Sequence, residues 1–374
     1  MKTKAAVLYE YRKPLVIEEL GLENPKTGEV LVEYKAAGIC HSDLSLVNGV
    51  ISIPPLPCIP GHEGAGIVIE VGAGVSRVKP GDHVLAIWVP SCGQCYYCIR
   101  QQPYLCVQRD KALSGVMLDG TSRIKNGIQS ISCMAAVGTF TQYNVVNEKS
   151  VLAIDKDISF EAGAVTGCAV VTGVGAVLNT AKVQAGSSTA VVGIGGAGLN
   201  VIQGAVLANA TTIIAIDLLD NKLKIAKQFG ATHTINPAKE NFRQKVKSIT
   251  GGIGVDYAFE VIGTPQTAQM AFDITRRGGA AVIVGLAGSQ DTVPLSLLQV
   301  AAMEKRILGC YYGSANLFAD LKNLLDLYRN SRIRVMELIT KHYSLEEINN
   351  GVEDLKSGGN ARGVISIRCW VSHC

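Results

Sequence analysis

Aromatic residues are scarce, at 6% of 374, and charged residues make up only 18%. So little charge beside 48% hydrophobic content excludes an intrinsically disordered chain, and the length suffices for two domains with sizeable cores. No charge sign dominates: 35 Lys and Arg face 31 Asp and Glu, a net of +4. That excess is too small and too scattered to recruit nucleic acid or an anionic membrane. Repeats and low-complexity segments are absent. The first ten residues lack the apolar core and small-residue cleavage site of a secretory signal. Eleven cysteines are too dilute for a disulfide scaffold, and an odd number cannot all pair within one chain. The expected setting is a reducing, cytoplasmic compartment.

What is abundant is glycine, with 40 residues. Residues 183–216 carry no charge, long enough for a membrane span. Gly193, Gly195, Gly196, Gly198 and Gly204 and several amides interrupt them, and the pattern reads as strand, turn, helix, strand, as in a parallel sheet covered on both faces. No membrane segment is expected.

The first 150 residues alternate short β-branched runs (30–34, 66–71, 83–87) with turn signals such as Pro80-Gly81-Asp82, which predicts a small antiparallel β domain. From about residue 170 strand-like runs at 189–193, 212–217, 232–235, 255–260, 280–285 and 307–310 alternate with helix-length segments. Six such strands form a full dinucleotide-binding parallel sheet. Helices are expected at 317–330 and 345–356 around a short strand near 335–340, and the run 364–367 is positioned to return to the first domain.

Gly193-Ile-Gly195-Gly196-Ala197-Gly198 follows an apolar strand and opens a helix, the context this glycine pattern requires. Gly193 permits the tight turn, Gly195 lets backbone approach a pyrophosphate, and Gly198 lets helix and strand pack closely. Asp217 closes the second strand, where a carboxylate accepts ribose hydroxyls and repels a 2′-phosphate; this favours NAD over NADP. Lys222 lies within reach of the same ribose.

Cys92, Cys95, Cys98 and Cys106 form CxxCxxCx7C, four thiolates able to wrap a tetrahedral Zn²⁺ with no open position, hence a structural ion. An iron–sulfur cluster takes the same ligand set, though at other common spacings. A second group is dispersed: Cys40 in Gly38-Ile-Cys-His-Ser-Asp43, His62 in Gly61-His-Glu-Gly64, and Cys168. A Cys₂His set leaves one zinc position open for chemistry.

In these runs, together with Val78-Lys-Pro-Gly-Asp-His-Val84 and Phe259-Glu-Val-Ile-Gly263, the chain resembles the zinc-dependent alcohol dehydrogenases of the medium-chain dehydrogenase/reductase superfamily over nearly its whole length. The resemblance implies an α/β fold: a GroES-like antiparallel β catalytic domain (1–169 and 312–374) and a Rossmann doubly wound parallel sheet (170–311). It implies two zinc ions per chain, one catalytic on Cys40, His62 and Cys168, with Glu63 as a transient ligand, and one structural in the four-cysteine lobe. Asp43 would orient His62, and Ser42 would take the alcohol proton. Thr172 and Ala197 would pack near the nicotinamide, and His41 and Arg362 near the pyrophosphate. The implied activity is reversible, NAD-dependent oxidation of a primary aliphatic or benzylic alcohol to an aldehyde by zinc-alkoxide hydride transfer. A homodimer or homotetramer is implied, with 280–286 and 307–310 near its interface.

Two positions depart from the family pattern. Ser45 stands where a relay histidine is usual, and serine is no base near neutral pH, so the proton must leave by another route. His41 replaces an arginine, which predicts weaker pyrophosphate binding. The alternative substrate is S-(hydroxymethyl)glutathione. It is disfavoured because residues 50–59 contain no acid and Asp110, beside Arg109, occupies the position of the expected arginine. That apolar loop and Trp88 favour an uncharged alcohol. A zinc-free reductase of the same fold would not need these ligands. A zinc-ribbon nucleic-acid binder would need more charge around the lobe than Arg100 provides.

Overall fold

The computed structural model describes residues 1–358 and 361–367. It divides into two compact units. The first comprises Met1–Cys168, Asn316–Asn330 and Val335–Cys374, and the second Ala169–Ala315 and Ser331–Arg334. The return to the first unit thus begins four residues later than residue 312, and a four-residue excursion after the helix Leu317–Arg329 belongs to the second unit. That excursion is held by Gln203: its Nε2 donates to Arg334 O at 3.0 Å and its Oε1 accepts Arg334 N at 2.6 Å.

The first unit is β-rich. Its larger sheet centres on Glu29–Ile39, which pairs antiparallel with Glu63–Val71, Tyr143–Asn147 and Gly363–Ser366. Nearly every residue of Glu29–Ile39 is buried, so both faces of this strand are covered. The predicted return of the chain is therefore real, with Gly363 opposite Ile39. The expected strand near 335–340 is instead a 3₁₀ turn, Met336–Leu338, followed by the strand Lys341–Tyr343. The apolar residues at 335 and 338 are buried as a plug, and extended pairing starts only where Gly363–Ile365 offers a parallel edge. A smaller sheet of five strands begins with Lys2–Val7.

The second unit is built on six parallel strands in the order His233–Ile235, Thr212–Ile216, Ser188–Val192, Val255–Glu260, Thr275–Ile283, Arg306–Gly309. This is the doubly wound order, whose direction of winding reverses between Ser188–Val192 and Val255–Glu260, the place where such sheets take ligands. The uncharged stretch resolves as the strand Ser188–Val192, the helix Gly196–Leu207 and the strand Thr212–Ile216, as its glycines predicted. The one helical run long and apolar enough to cross a membrane among the described residues is Phe160–Ala181, and 83% of its most apolar 18-residue stretch is buried within the protein.

Candidate functional site

Among the described residues the first unit carries two clusters of metal-ligating atoms. Cys40 sits at the N-cap of the helix His41–Val47, in extended conformation. The third residue of that helix, Asp43, is fully buried and serves three groups. Its Oδ2 accepts Cys40 N at 2.8 Å, and its Oδ1 accepts Gly61 N at 3.1 Å and lies 3.1 Å from His62 Nδ1. The carboxylate therefore fixes the proton on Nδ1 and leaves Nε2 as the lone-pair nitrogen, the state a metal ligand requires. Cys40, His62, Glu63 and Cys168 bring one ligand atom each to within 4.8 Å of one another. Ser42 Oγ stands 3.9 Å from Cys40 Sγ.

Glu63 is the residue whose placement sequence reasoning explained least. In the antiparallel pair Gly38 lies directly opposite it. A Cβ on Gly38 would come within 2.0 Å of Glu63 Oε2, so the glycine leaves the space into which the carboxylate folds. Both Glu63 oxygens are buried without a hydrogen-bond partner among the described residues. Arg362 Nη1 lies 3.2 Å from Oε1 and donates to Ile39 O at 3.0 Å. Burial pushes the Glu63 carboxyl up to about 8, against the pull of Arg362. Cys40 is held well below the usual thiol range by the hydrogen bond from Cys168, with Arg362 and His62 reinforcing the thiolate. Orphaned buried carboxylate oxygens beside two sulfurs and an oriented imidazole fit a Zn²⁺ ion with three firm ligands and a fourth position in reserve. Arg362 is turned inward toward Glu63, a role its position in the sequence did not disclose. Thr139 was missed too: its Oγ1 donates to Glu63 O at 3.1 Å and ties the ligand strand to the following loop. Trp88 packs edge-on to His62, ring centroids 6.0 Å apart. Trp88 is the aromatic expected beside an uncharged alcohol, whereas Thr139 carried no sequence signal. His41, by contrast, is exposed.

The lobe cysteines Cys92, Cys95, Cys98 and Cys106 form the second cluster, again within 4.8 Å. Cys92–Cys98 and Cys95–Cys106 sulfurs are 3.9 Å apart, far beyond a disulfide. Around a single ion with Zn–S bonds of about 2.3 Å, tetrahedral edges are about 3.8 Å. Backbone N–H groups of Cys92 and Gln108 point at Cys106 Sγ, and that of Cys95 at Cys92 Sγ, as thiolates demand. The geometry is that of one closed tetrahedral ion, which resolves the choice left by the spacing in favour of zinc.

The second unit holds the glycine turn. Gly193 has φ +98°, and a Cβ there would strike Ile262 at 2.4 Å. A Cβ on Gly198 would strike Gly193 O at 2.0 Å, whereas Gly195 faces open space within 4 Å. These are the three roles the pattern assigns: turn, packing and close approach. Asp217 does more than expected, since its Oδ2 accepts Ile194 N at 2.8 Å and so braces the turn, while Oδ1 accepts Leu219 N at 3.0 Å. Lys222 is half-buried in the first turn of the helix Asp220–Gln228. Thr172 is half-buried on the helix Val171–Gly175. A Cβ on Gly173 of that helix would strike Ala197 O at 2.4 Å, so the helix packs directly on the residue that follows Gly196.

Residues 26–156 match the family model of the alcohol dehydrogenase GroES-like domain, and residues 196–330 that of the zinc-binding dehydrogenases. An NDMA-dependent alcohol dehydrogenase of Amycolatopsis methanolica is 42% identical over 368 residues, 98% of this chain and 99% of the relative. An S-(hydroxymethyl)glutathione dehydrogenase of Paracoccus denitrificans is 40% identical, over 98% of this chain and all of the relative. Among solved structures, benzyl alcohol dehydrogenase of Acinetobacter calcoaceticus superposes with a TM-score of 0.93 at 29% identity, covering 98% of this chain and 100% of its own.

Proposed function

The chain belongs to the zinc-dependent medium-chain alcohol dehydrogenases, and from that premise we propose that it oxidises primary aliphatic or benzylic alcohols to aldehydes with NAD as hydride acceptor. The observation that carries this reading is the cluster of half-buried Cys40 with buried His62 and Cys168, with Asp43 setting the imidazole tautomer. Zn²⁺ bound there supplies Lewis acidity that lowers the hydroxyl pKa of an alcohol. Cys40, His62 and Cys168 would hold the ion, and Glu63 would keep a carboxylate in reserve as a fourth ligand. Ser42, two residues past Cys40, accepts the alcohol proton and hands it to solvent, because Ser45 offers no base in place of a relay histidine. Thr172 and Ala197 line the nicotinamide position and the exposed His41 serves the pyrophosphate, whereas Arg362, expected beside it, is buried against Glu63 and steadies that carboxylate instead. The glycine turn and Asp217 select the dinucleotide, the carboxylate by repelling a 2′-phosphate.

An uncharged substrate is supported by the loop 50–59, where Val50 and Ile53 are half exposed and no acid stands ready for glutathione. Arg109 is already paired with Asp110 at 3.1 Å. The second reading, S-(hydroxymethyl)glutathione oxidation, rests on the Paracoccus relative's name alone. The decisive assay takes the zinc-loaded chain through a panel of aliphatic and benzylic alcohols and S-(hydroxymethyl)glutathione. Each is run with NAD, with NADP and with NDMA, the acceptor in the Amycolatopsis relative's name. NADH formation with simple alcohols supports the proposal. Turnover confined to the glutathione adduct, or only with NDMA present, overturns it.

A further inference from the structure

His62 and Glu63 stand side by side in the chain, with a glycine before them and a glycine after, Gly61 and Gly64. The room these glycines leave is taken by one fully buried side chain, Thr139. A Cβ on Gly61 would stand 2.5 Å from Thr139 Oγ1, and a Cβ on Gly64 would stand 2.6 Å from Thr139 Cγ2. Both branches of the threonine are therefore used, the hydroxyl against the first glycine and the methyl against the second. Gly61 also has φ +91°, a conformation that side-chain-bearing residues rarely adopt.

Two hydrogen bonds fasten Thr139 to the backbone on either side of His62. Its N–H donates to Gly61 O at 3.0 Å, and its Oγ1 donates to Glu63 O at 3.1 Å. The other end of Gly61, its N–H, is held by Asp43 Oδ1 at 3.1 Å. Asp43 thus orients the imidazole from its ring, and Thr139 orients it from the main chain. The turn that delivers Thr139 is itself unusual. Ala135, Ala136 and Gly138 have φ of 51°, 55° and 42°, a region costly for residues with a Cβ. Val137 between them is pinned by its carbonyl, which accepts Asn144 Nδ2 at 2.7 Å and Tyr34 Oη at 3.2 Å. Strain of this kind persists where the surroundings over-determine a position, and here the position is that of Thr139.

We propose that Thr139 is a positioning residue for the metal centre: its hydroxyl, seated between the two glycines, sets the backbone from which His62 and Glu63 reach the ion. The proposal rests on the reading that Cys40, His62 and Cys168 hold Zn²⁺. A ligand side chain meets a metal at the right point only from the right backbone, so a small shift there is felt as weaker binding.

The test is the zinc affinity of the full-length chain, read by competition with a chromophoric chelator. The four-cysteine lobe serves as the internal control, and the ion lost in Cys168→Ser identifies the Cys40 cluster. Thr139→Val keeps the N–H and the methyl but removes the hydroxyl. Affinity at the Cys40 cluster should fall about tenfold or more while the lobe holds its ion as the parent does. Thr139→Ser keeps the hydroxyl, and its affinity should stay within about threefold of the parent's. An affinity in Thr139→Val equal to the parent's overturns the proposal. So does an equal loss from both sites, which is general destabilisation. A loss in Thr139→Ser of tenfold or more, on the order expected for the valine, assigns the effect to the methyl and overturns it as well. A parent chain that holds zinc in the lobe alone overturns the reading of the Cys40 cluster, and the proposal with it.

Discussion

Asp43 Oδ1 lies 3.1 Å from His62 Nδ1 and accepts the Gly61 amide as well, so one buried carboxylate sets both the tautomer and the backbone position of a metal ligand. Asp43→Asn preserves the shape and removes the charge. Zinc affinity at the Cys40 cluster should fall about 10- to 100-fold, read by competition with a chromophoric chelator. An affinity equal to the parent's would show that the carboxylate does not tune the ligand.

The four-cysteine lobe is separable from the chemistry. Cys98→Ser breaks the tetrahedron whose edges measure 3.9 Å. Elemental analysis should then find about one zinc per chain where the parent holds about two, and the melting temperature should drop by roughly 5–10 °C. Retention of both ions, or loss of the catalytic one alone, would reassign the lobe.

Asp217→Asn keeps an acceptor for Ile194 N while removing the charge proposed to select NAD over NADP. The ratio of kcat/KM for NAD over NADP should fall by about tenfold or more. A constant ratio would mean that selectivity resides elsewhere.

Asp256 joins three strands: its Oδ2 accepts Ser188 N and Ser188 Oγ at 2.7 Å, and its Oδ1 accepts Arg276 Nε at 2.7 Å. Burial works against its ionisation, yet the Ser188 donors and Arg276 hold it below the ordinary aspartate value. A depressed folded-state value means the stabilisation is complete above the unfolded pKa of about 3.9 and fades as pH falls through the lower folded value. Asp256→Asn should therefore melt below the parent at pH 6, and the gap should close as the pH is lowered through 4 and below. A gap independent of pH would assign the effect to packing.

The predicted strands at 212–217, 255–260 and 280–285 lie on observed ones to within a few residues, except that Thr275–Ile283 begins earlier, where Gly278 and Gly279 disguise its first half. The strand expected near 335–340 failed because an apolar run is equally suited to plugging a core, and only the edge offered by Gly363–Ile365 decides where pairing begins. Cys369 to Cys374, whose role the sequence left open, lie outside the described residues.

By itself the sequence determined what is local. The lobe's ligands fall within fifteen consecutive positions, and the glycine turn within six, so chain geometry alone brings their atoms together. The tertiary structure decided what is distant: that Gly38 stands across from Glu63 and clears room for its carboxylate, that Arg362 turns inward to meet it, and that Cys168 arrives beside Cys40. These juxtapositions depend on strand register and on packing between remote segments, neither of which leaves a mark on the residues that take part.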